Sequence, residues 1–306
     1  MSVAVSVVIP VYNGANSIGD MLRSLQSQSA PRPDTEIIVV DNGSTDDTRS
    51  IVRRFDVTLL EEPKRGPAAA RNRGLRHARG AIVAHCDADT VLTRRWVAEV
   101  VAPLGDPDVA VVAGRTLAYR PVTGAERYAA ASAMWEAERS VARREFPFAP
   151  SLNMAVRRDD ALRAGGWDES LLTAEDIDFS HRVLLLDPRR RIAYAPNAML
   201  FHRNRATDEA LRVQARSYGR GAAHVYLRHP HMLPWTPKLR LMIASRMARR
   251  VAAAPALAAL ARVGLASRER AEFAAYHRMW YAAYWEGFFA ELRTVRARPQ
   301  QRCSCE

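Results

Sequence analysis

Val3-Ala4-Val5-Ser6-Val7-Val8-Ile9-Pro10-Val11-Tyr12-Asn13-Gly14 opens the chain with an apolar, β-branched run, a proline and a turn. A run so short and so continuously apolar predicts a strand buried on both faces. Ile18, Met21, Leu22 and Leu25 then recur at helical spacing, so strand, loop and helix follow in order. The unit returns with Ile37-Ile38-Val39-Val40, the turn Asp41-Asn42-Gly43 and a helix start at Ser44-Thr45-Asp46-Asp47, expected to run to about Phe55. Val57 to Leu60 predicts a third strand, Pro67 to Ala78 a helix with proline near its start, and Ala81 to Cys86 a fourth strand. Short apolar strands alternating with helices indicate the α/β class, a doubly wound, mostly parallel sheet flanked by helices. In that architecture ligands bind beyond the carboxyl ends of the strands, where Pro10 to Asn13, Asp41 and Asp87-Ala88-Asp89 fall.

Further along, the pattern predicts a strand at Val109 to Ala113, one helix from about Glu126 to Arg144, a segment at Ser151 to Val156, and an acidic turn at Thr173-Ala174-Glu175-Asp176 that leads a helix to Leu186. Ile192 to Arg203 reads as a strand, a Pro196-Asn197 turn and a second short strand ending at Phe201-His202. Everything afterwards reads as helical and basic. The division expected is residues 1–203 as the ligand-binding domain and 204–306 as a helical extension.

With 306 residues and 48% hydrophobic content, the chain can bury one large core plus an appendage. Residues 1–202 hold 26 basic and 26 acidic side chains, and residues 203–306 hold 19 and 7, so the whole net charge of +12 lies in the last third. Charge confined in this way suggests a second job toward an anionic surface or substrate. Cys86, Cys303 and Cys305 are too few for a disulfide framework, and Met1 to Pro10 lacks a basic leader and a cleavage site. A cytoplasmic setting is the expectation. No membrane span is expected either, since the Ala-rich stretch from Leu241 to Leu265 is interrupted by Arg246, Arg249, Arg250 and Arg262.

Asp87 and Asp89, one residue apart at the end of a buried strand, cannot both face the core, and an ionised Asp is costly to bury unpaired. They need water, a partner or a metal. Carboxylates beside a nucleotide diphosphate suit Mg²⁺ or Mn²⁺, which completes its coordination with phosphate and water, and Asp89 is the ligand candidate. A solvated turn is the alternative reading, because Asp-x-Asp is common by chance.

Val5 to Asn13, Ile38-Val39-Val40-Asp41-Asn42-Gly43-Ser44-Thr45-Asp46, Gly66-Pro67-Ala68-Ala69-Ala70-Arg71-Asn72-Arg73-Gly74, Asp87-Ala88-Asp89, Asn153 to Arg158 and Glu175-Asp176 occur in one order. Together they closely resemble the inverting family 2 glycosyltransferases of GT-A fold, over about residues 3–203. The resemblance implies that Pro10, Tyr12 and Asp41 surround a nucleotide base, that Arg71 helps close that pocket, and that Asp87 meets the ribose side while Asp89 holds the metal. It implies Asp176 as the general base that deprotonates an acceptor hydroxyl, with Glu175 sharing the work or orienting the acceptor. Both acids could instead only favour a helix start electrostatically.

His202 would be a further metal ligand, a donor to the leaving phosphate, or a structural histidine. Trp167, in Gly165-Gly166-Trp167-Asp168, resembles an acceptor-side aromatic and could equally be core. UDP is the nucleotide the resemblance favours, with dTDP and GDP among relatives. The acceptor would be a lipid-linked glycan, a polysaccharide end of the cell envelope or a small metabolite.

The last third contains 11 of the 23 aromatics, Trp235, Trp280 and Trp285 among them. Basic helices with aromatics suit the inner face of an anionic membrane; they also suit packing on the catalytic part or on a partner subunit, as in a homo-oligomer. No recognisable motif supports nucleic acid. Nucleotidyl transfer would show a Gly-rich, basic loop where Val11-Tyr12-Asn13-Gly14 stands, and a dehydrogenase would show Gly-x-Gly-x-x-Gly there. A degenerate carbohydrate-binding scaffold would not need Asp87, Asp89, Glu175 and Asp176 together.

Overall fold

In the computed structural model, which describes residues 4–29, 35–132, 134, 136–143, 146–229 and 236–297, β1 (Val5–Val11), β2 (Thr35–Asp41), β3 (Thr58–Glu61) and β4 (Ile82–Cys86) lie in parallel in the order β3-β2-β1-β4. Between them run α1 (Ile18–Gln26), α2 (Thr48–Val52) and α3 (Pro67–His77). Alternate strand residues point to opposite faces, and both faces are covered. Val7, Ile9, Ile37 and Val39 share one core with Ile18, Met21 and Leu22 of α1, while Val8, Ile38 and Val40 share the other with Ala70 and Leu75 of α3. Each such fully buried aliphatic side chain contributes roughly 1.5–3 kcal/mol.

The second half of the sheet is mixed. It comprises β5 (Thr90–Leu92), β6 (Val109–Ala118), β7 (Asn153–Arg157) and β8 (Arg191–His202), with α4 (Trp96–Val101), a 3₁₀ turn (Ala102–Gly105), α5 (Gly124–Ala131), α6 (Ala137–Val141), α7 (Arg158–Arg163) and α8 (Glu175–Leu184). The complete order is β3-β2-β1-β4-β7-β6-β8-β5; β7 runs antiparallel to both β4 and β6, and β5 antiparallel to β8. Four of the seven strand pairs are parallel, as expected of a mostly parallel sheet, and the antiparallel pairs are those made by β7 and β5.

Two other expectations are corrected. The single helix from Glu126 to Arg144 is α5 and α6 instead, with Arg144 outside the described residues. Ser132 Oγ donates to the Ala129 carbonyl, and Glu136 is extended (φ −70°, ψ 91°), a local bond and a backbone state that compete with helix continuation. Pro196-Asn197 is no turn: β8 is one strand, and its register against β6 jumps from Ala195 to Met199, so Pro196 sits in an irregularity where no ladder N–H is required.

Two compact units result, one of Met1–Val122 with Ala129–Asn204, the other of Thr123–Tyr128 with Arg205–Glu306. The second contains α9 (Asp208–Arg228), α10 (Pro237–Arg262) and α11 (Arg268–Ala297). Gly219 and Gly287 stand inside long helices, where glycine costs about 1 kcal/mol relative to alanine. Close approach explains them: a Cβ on Gly219 would lie 1.8 Å from the Tyr284 carbonyl oxygen, and one on Gly287 2.1 Å from that of Arg216. Gly219→Val should accordingly destabilise this unit by about 1–3 kcal/mol and lower its thermal midpoint by roughly 5 °C or more. Melting followed by far-UV circular dichroism measures it, and an unchanged midpoint would refute the close-packed crossing. No helix of the described residues is long and apolar enough to cross a membrane. Trp235, Cys303 and Cys305 lie outside the described residues.

Candidate active site

The loops that leave β1 and β2 are laced together. Asn13 N donates to Ser44 Oγ (2.9 Å), Thr45 N to Asn13 Oδ1 (2.9 Å) and Gly14 N to Thr48 Oγ1 (2.8 Å). Pro10 lies opposite Val40 in this parallel pair. Asp41, at the end of β2, is buried and accepts from Ser44 N at 3.2 and 3.3 Å, with Arg49 Nε at 3.8 Å. Tyr12 stays 49% exposed, and the Arg65 guanidinium stands 3.5 Å from its ring centroid. Arg65 is held there by donating to the Asn42 carbonyl at 2.7 Å. An exposed ring and a buried carboxylate side by side can stack on a base and accept its N–H.

Arg71 reaches two acids. It is buried on α3, where Nη2 donates to Asp87 Oδ1 (2.8 Å) and Nη1 to Glu175 Oε1 (2.9 Å). One guanidinium thus ties the end of β4 to the start of α8, two points 88 residues apart in the chain. Its neighbour Asn72 fixes the helix: Oδ1 accepts from Trp167 N (2.7 Å), and Nδ2 donates to Trp167 O and Glu169 Oε1 (both 2.8 Å). Gly166, with φ of 68°, is the residue that lets the loop turn here. Trp167 is core: it is buried, stacks on Phe179 at 4.2 Å, and meets the His85 ring edge-on at 5.2 Å. Its ring is therefore not an exposed face for an acceptor. His85 is kept neutral, its pKa pulled down to about 3 by burial and then by the Arg71 charge.

Helix α8 begins abruptly, on Ala174 in the left-handed region (φ 63°), a conformation that costs a non-glycine residue roughly 1–2 kcal/mol. That turn places Glu175 and Asp176 in the first helical turn. Glu175 is buried against Arg71, whereas Asp176 is only partly buried and accepts from Ile177 N (2.9 Å) and Ser151 N (3.4 Å). Burial pushes the Glu175 carboxyl up to about 7; Arg71 opposes that rise and Asp176 adds to it. Asp176 is raised as well, again chiefly by burial against the pull of Arg71. The two titrate as a pair.

Asp89 lies just before β5, whose Thr90 pairs with His202 of β8, so the strand register brings the two side chains together: His202 Nε2 is 3.5 Å from Asp89 Oδ1. His202 Nδ1 meets Asn204 Oδ1 at 3.1 Å. With Nδ1 beside Asn204, Nε2 faces the Asp89 carboxylate, and a ring nitrogen with a carboxylate oxygen is a combination that suits a cation. Among the described residues no group of three or more His, Cys, Asp or Glu side chains forms a metal cage. Asp87, the other carboxylate of the triplet, is engaged by Arg71. Asp89 and His202 fit Mn²⁺ or Mg²⁺ only if substrate phosphate and water complete its coordination.

Comparison with known proteins decides the family. The sequence pattern described as glycosyl transferase family 2 matches residues 6–165, more than half of the chain. This chain belongs to that family. Glycosyltransferase AglE of Haloferax volcanii is 32% identical over 231 residues, 73% of this chain and 74% of AglE. The pre-mycofactocin glycosyltransferase of Mycobacterium tuberculosis is also 32% identical, over 74% of this chain but only 48% of its own length. The structure of mannosyltransferase PcManGT from Pyrobaculum calidifontis, in complex with GDP-Man and Mn²⁺, matches with a TM-score of 0.65 at 24% identity, covering 93% of this chain and 86% of that one. The fold is GT-A, and the chain is a glycosyltransferase that takes its sugar from a nucleotide sugar.

Several residues of this family 2 site escaped the sequence reading. Arg65 sits one position before the Gly66-Pro67 motif, so motif adjacency was its one available signal. Asn153 was seen as part of a motif, but its work is structural: Oδ1 accepts from Trp96 Nε1 (2.8 Å), and Nδ2 donates to Arg115 O (2.9 Å) and Ala198 O (3.0 Å), pinning three strands. Arg203, next to His202, donates its backbone N–H to the Asp89 carbonyl at 2.9 Å and its guanidinium to Asp20. Nothing local in the sequence marks such a contact.

Proposed function

We propose that this glycosyltransferase inverts the anomeric centre, with Asp176 as general base and Glu175 as its positioning partner. Asp176 takes the proton of the acceptor hydroxyl as its oxygen forms a bond to the anomeric carbon. The bond from that carbon to the nucleoside diphosphate breaks on the opposite side. The observation that carries this reading is the Arg71 bridge, which joins Asp87, the acid proposed for the donor end, to Glu175, whose chain neighbour is Asp176, on one guanidinium. Glu175 is occupied by that guanidinium, while Asp176 is the more exposed of the two, and burial raises its carboxyl above the ordinary aspartate range, in the direction that favours a base.

Tyr12 and Asp41 would hold the base, with Arg65 closing over the ring, and Asp87 would face the ribose. Asp89 and His202 would hold Mg²⁺ or Mn²⁺, which when bound neutralises the departing diphosphate. UDP is the proposed nucleotide, with GDP the first rival because PcManGT was solved with GDP-Man. The acceptor is proposed to be a lipid-linked glycan or polysaccharide end, with a small metabolite as the rival.

Thermal-shift measurements with UDP, GDP and dTDP, each with and without Mn²⁺, test the donor site. The cognate nucleotide at a hundred times its Kd should stabilise the fold by about 2.7 kcal/mol. Mn²⁺ should enlarge that effect, and His202→Ala should remove the enlargement. No metal-dependent stabilisation by any of the three would overturn the reading.

A further inference from the structure

We propose that the second unit docks on an anionic lipid surface through the outward side of α10 and an arginine-lined groove beside it. Helix α10 has 26 residues and no aspartate or glutamate, against Lys238, Arg240, Arg246, Arg249, Arg250 and Arg262. Its covered positions are one stripe. Ile243, Met247, Arg250, Ala254, Leu257 and Ala261, spaced three or four apart, are buried or half-buried together with Ala258 beside them, and Arg250 is spent on the Tyr281 ring at 3.6 Å.

The side facing away from that stripe is exposed, and every charge on it is cationic. Leu241 (72% exposed), Ala248, Ala252, Ala256, Ala259 and Leu260 run along it, and Val263 and Leu265 continue the apolar surface past the helix end. Lys238 and Arg249 stand among these positions and Arg246 and Arg262 at their edges, all exposed. A solvated helix face ordinarily carries charge of both signs; a face of aliphatic side chains interspersed with cations and free of acids matches an anionic bilayer interface, where the aliphatic groups enter the headgroup region and the cations meet phosphate.

The groove between α9, α10 and α11 adds a second, independent feature. Its volume is about 400 Å³, with Arg212, Arg216, Arg278 and Glu286 over an apolar floor that includes Val251 and Met279. Arg216 is paired to Glu286 at 3.0 Å and Arg212 has Glu209 at 3.9 Å, so the lining remains cationic. A phosphate on the guanidiniums with aliphatic carbon on the floor satisfies both halves of this groove. A second copy of the chain does not fit as well, because the same face against itself opposes cation to cation. Nucleic acid would leave the aliphatic side chains without a partner.

Sedimentation of the full chain with vesicles reads this out. Vesicles of phosphatidylglycerol and phosphatidylcholine should carry the protein down at 0.1 M salt and release it at 0.5 M, while phosphatidylcholine alone should not bind. Arg212→Ala with Arg278→Ala should lower partitioning by about thirtyfold, at roughly one basic residue's surface attraction each. Leu241→Ser with Leu260→Ser should also weaken binding. All four side chains are solvent-facing, and circular dichroism with an unchanged nucleotide thermal shift shows that both units remain folded.

Equal binding to neutral vesicles, no binding to anionic ones, or parental binding by both double variants would overturn the proposal. So would self-association that Leu241→Ser with Leu260→Ser abolishes in the absence of lipid, which would give this face to a second copy. Displacement from vesicles by inorganic phosphate or by RNA at equal phosphate concentration would likewise reassign it. A failed donor panel would leave this result standing, because no residue of the donor site takes part.

Discussion

Asp176→Asn is expected to lower kcat by about 10²–10⁴-fold, the usual contribution of a positioned general base, with nucleotide binding preserved. The amide keeps the size of the side chain but cannot take the acceptor proton. Glu175 cannot substitute, because its carboxylate is held by Arg71 at 2.9 Å. Turnover within a few-fold of the parent protein would move the role elsewhere. The pH profile gives an independent reading.

Glu175 has its folded pKa raised to about 7, so the folded protein keeps a proton there that the unfolded chain loses near 4.5. The stability from this group is present below about pH 4.5 and is lost as pH rises through about 7. Deprotonation of the pair is what makes the base competent. Asp176 is raised within the same coupled pair, so transfer should rise with pH as the pair loses its protons. In Asp176→Asn the neighbouring charge that adds to the Glu175 rise is gone, so the stability loss should move to lower pH. Glu175→Gln should flatten the slope between 4.5 and 7, and chemical denaturation across that range measures both.

Arg71→Met should cost about 3–5 kcal/mol, the penalty for breaking a buried ion pair and leaving charge unpartnered. For a unit of about 200 residues that is a fall of roughly 10 °C in thermal midpoint. Two carboxylates depend on it, Asp87 at 2.8 Å and Glu175 at 2.9 Å. Arg71→Lys should recover little, since an ammonium lacks the planar fork that reaches both acids. The destabilisation should be smaller at pH 5 than at pH 8, because unpartnered buried carboxylates accept protons at the lower pH and cease to be charged. A loss below about 1 kcal/mol at pH 8, or one that does not vary with pH, would mean that the bridge does not hold the site. Transfer should fall with it, because both ends of the site lose their common anchor.

The N-terminal half of the fold could be read directly because its determinants are local. β1, β2 and β4 are continuous apolar runs, and each is followed within a few residues by a turn carrying a site residue: Tyr12 after β1, Asp41 closing β2, Asp87 after β4. The second half resisted for a physical reason. β5 is three residues long and gains its identity only from pairing with β8, and β7 has the same composition whether it runs parallel or antiparallel. The irregularity at Pro196 looked like a turn because proline punctuates both.

Among the site residues, Asp176, Glu175, Asp89 and His202 were marked by the sequence, yet their environments were not. Trp167 shows the difference most plainly. Gly165-Gly166-Trp167-Asp168 permits an exposed aromatic as readily as a buried one, and only the stack on Phe179 and the two Asn72 hydrogen bonds decide for the core. Arg71 stands in a motif that the resemblance sets beside the nucleotide, and its partners are Asp87 and, 104 residues away along the chain, Glu175, a pairing nothing local in the sequence marks.

By itself the sequence determined the alternation of strand and helix, the placement of acids and aromatics at strand ends, and the division of charge between the first 202 residues and the rest. These follow from periodicity and from the cost of burying polar groups, which act over a few residues. Tertiary structure alone decided that Asp87 turns to Arg71 while Asp89 turns to His202, that Glu175 is buried while Asp176 is partly open, and that α10 presents an exposed face of aliphatic side chains interspersed with cations. Such outcomes depend on which side chains meet after the chain has closed on itself, and on the low-dielectric surroundings that then set their charge.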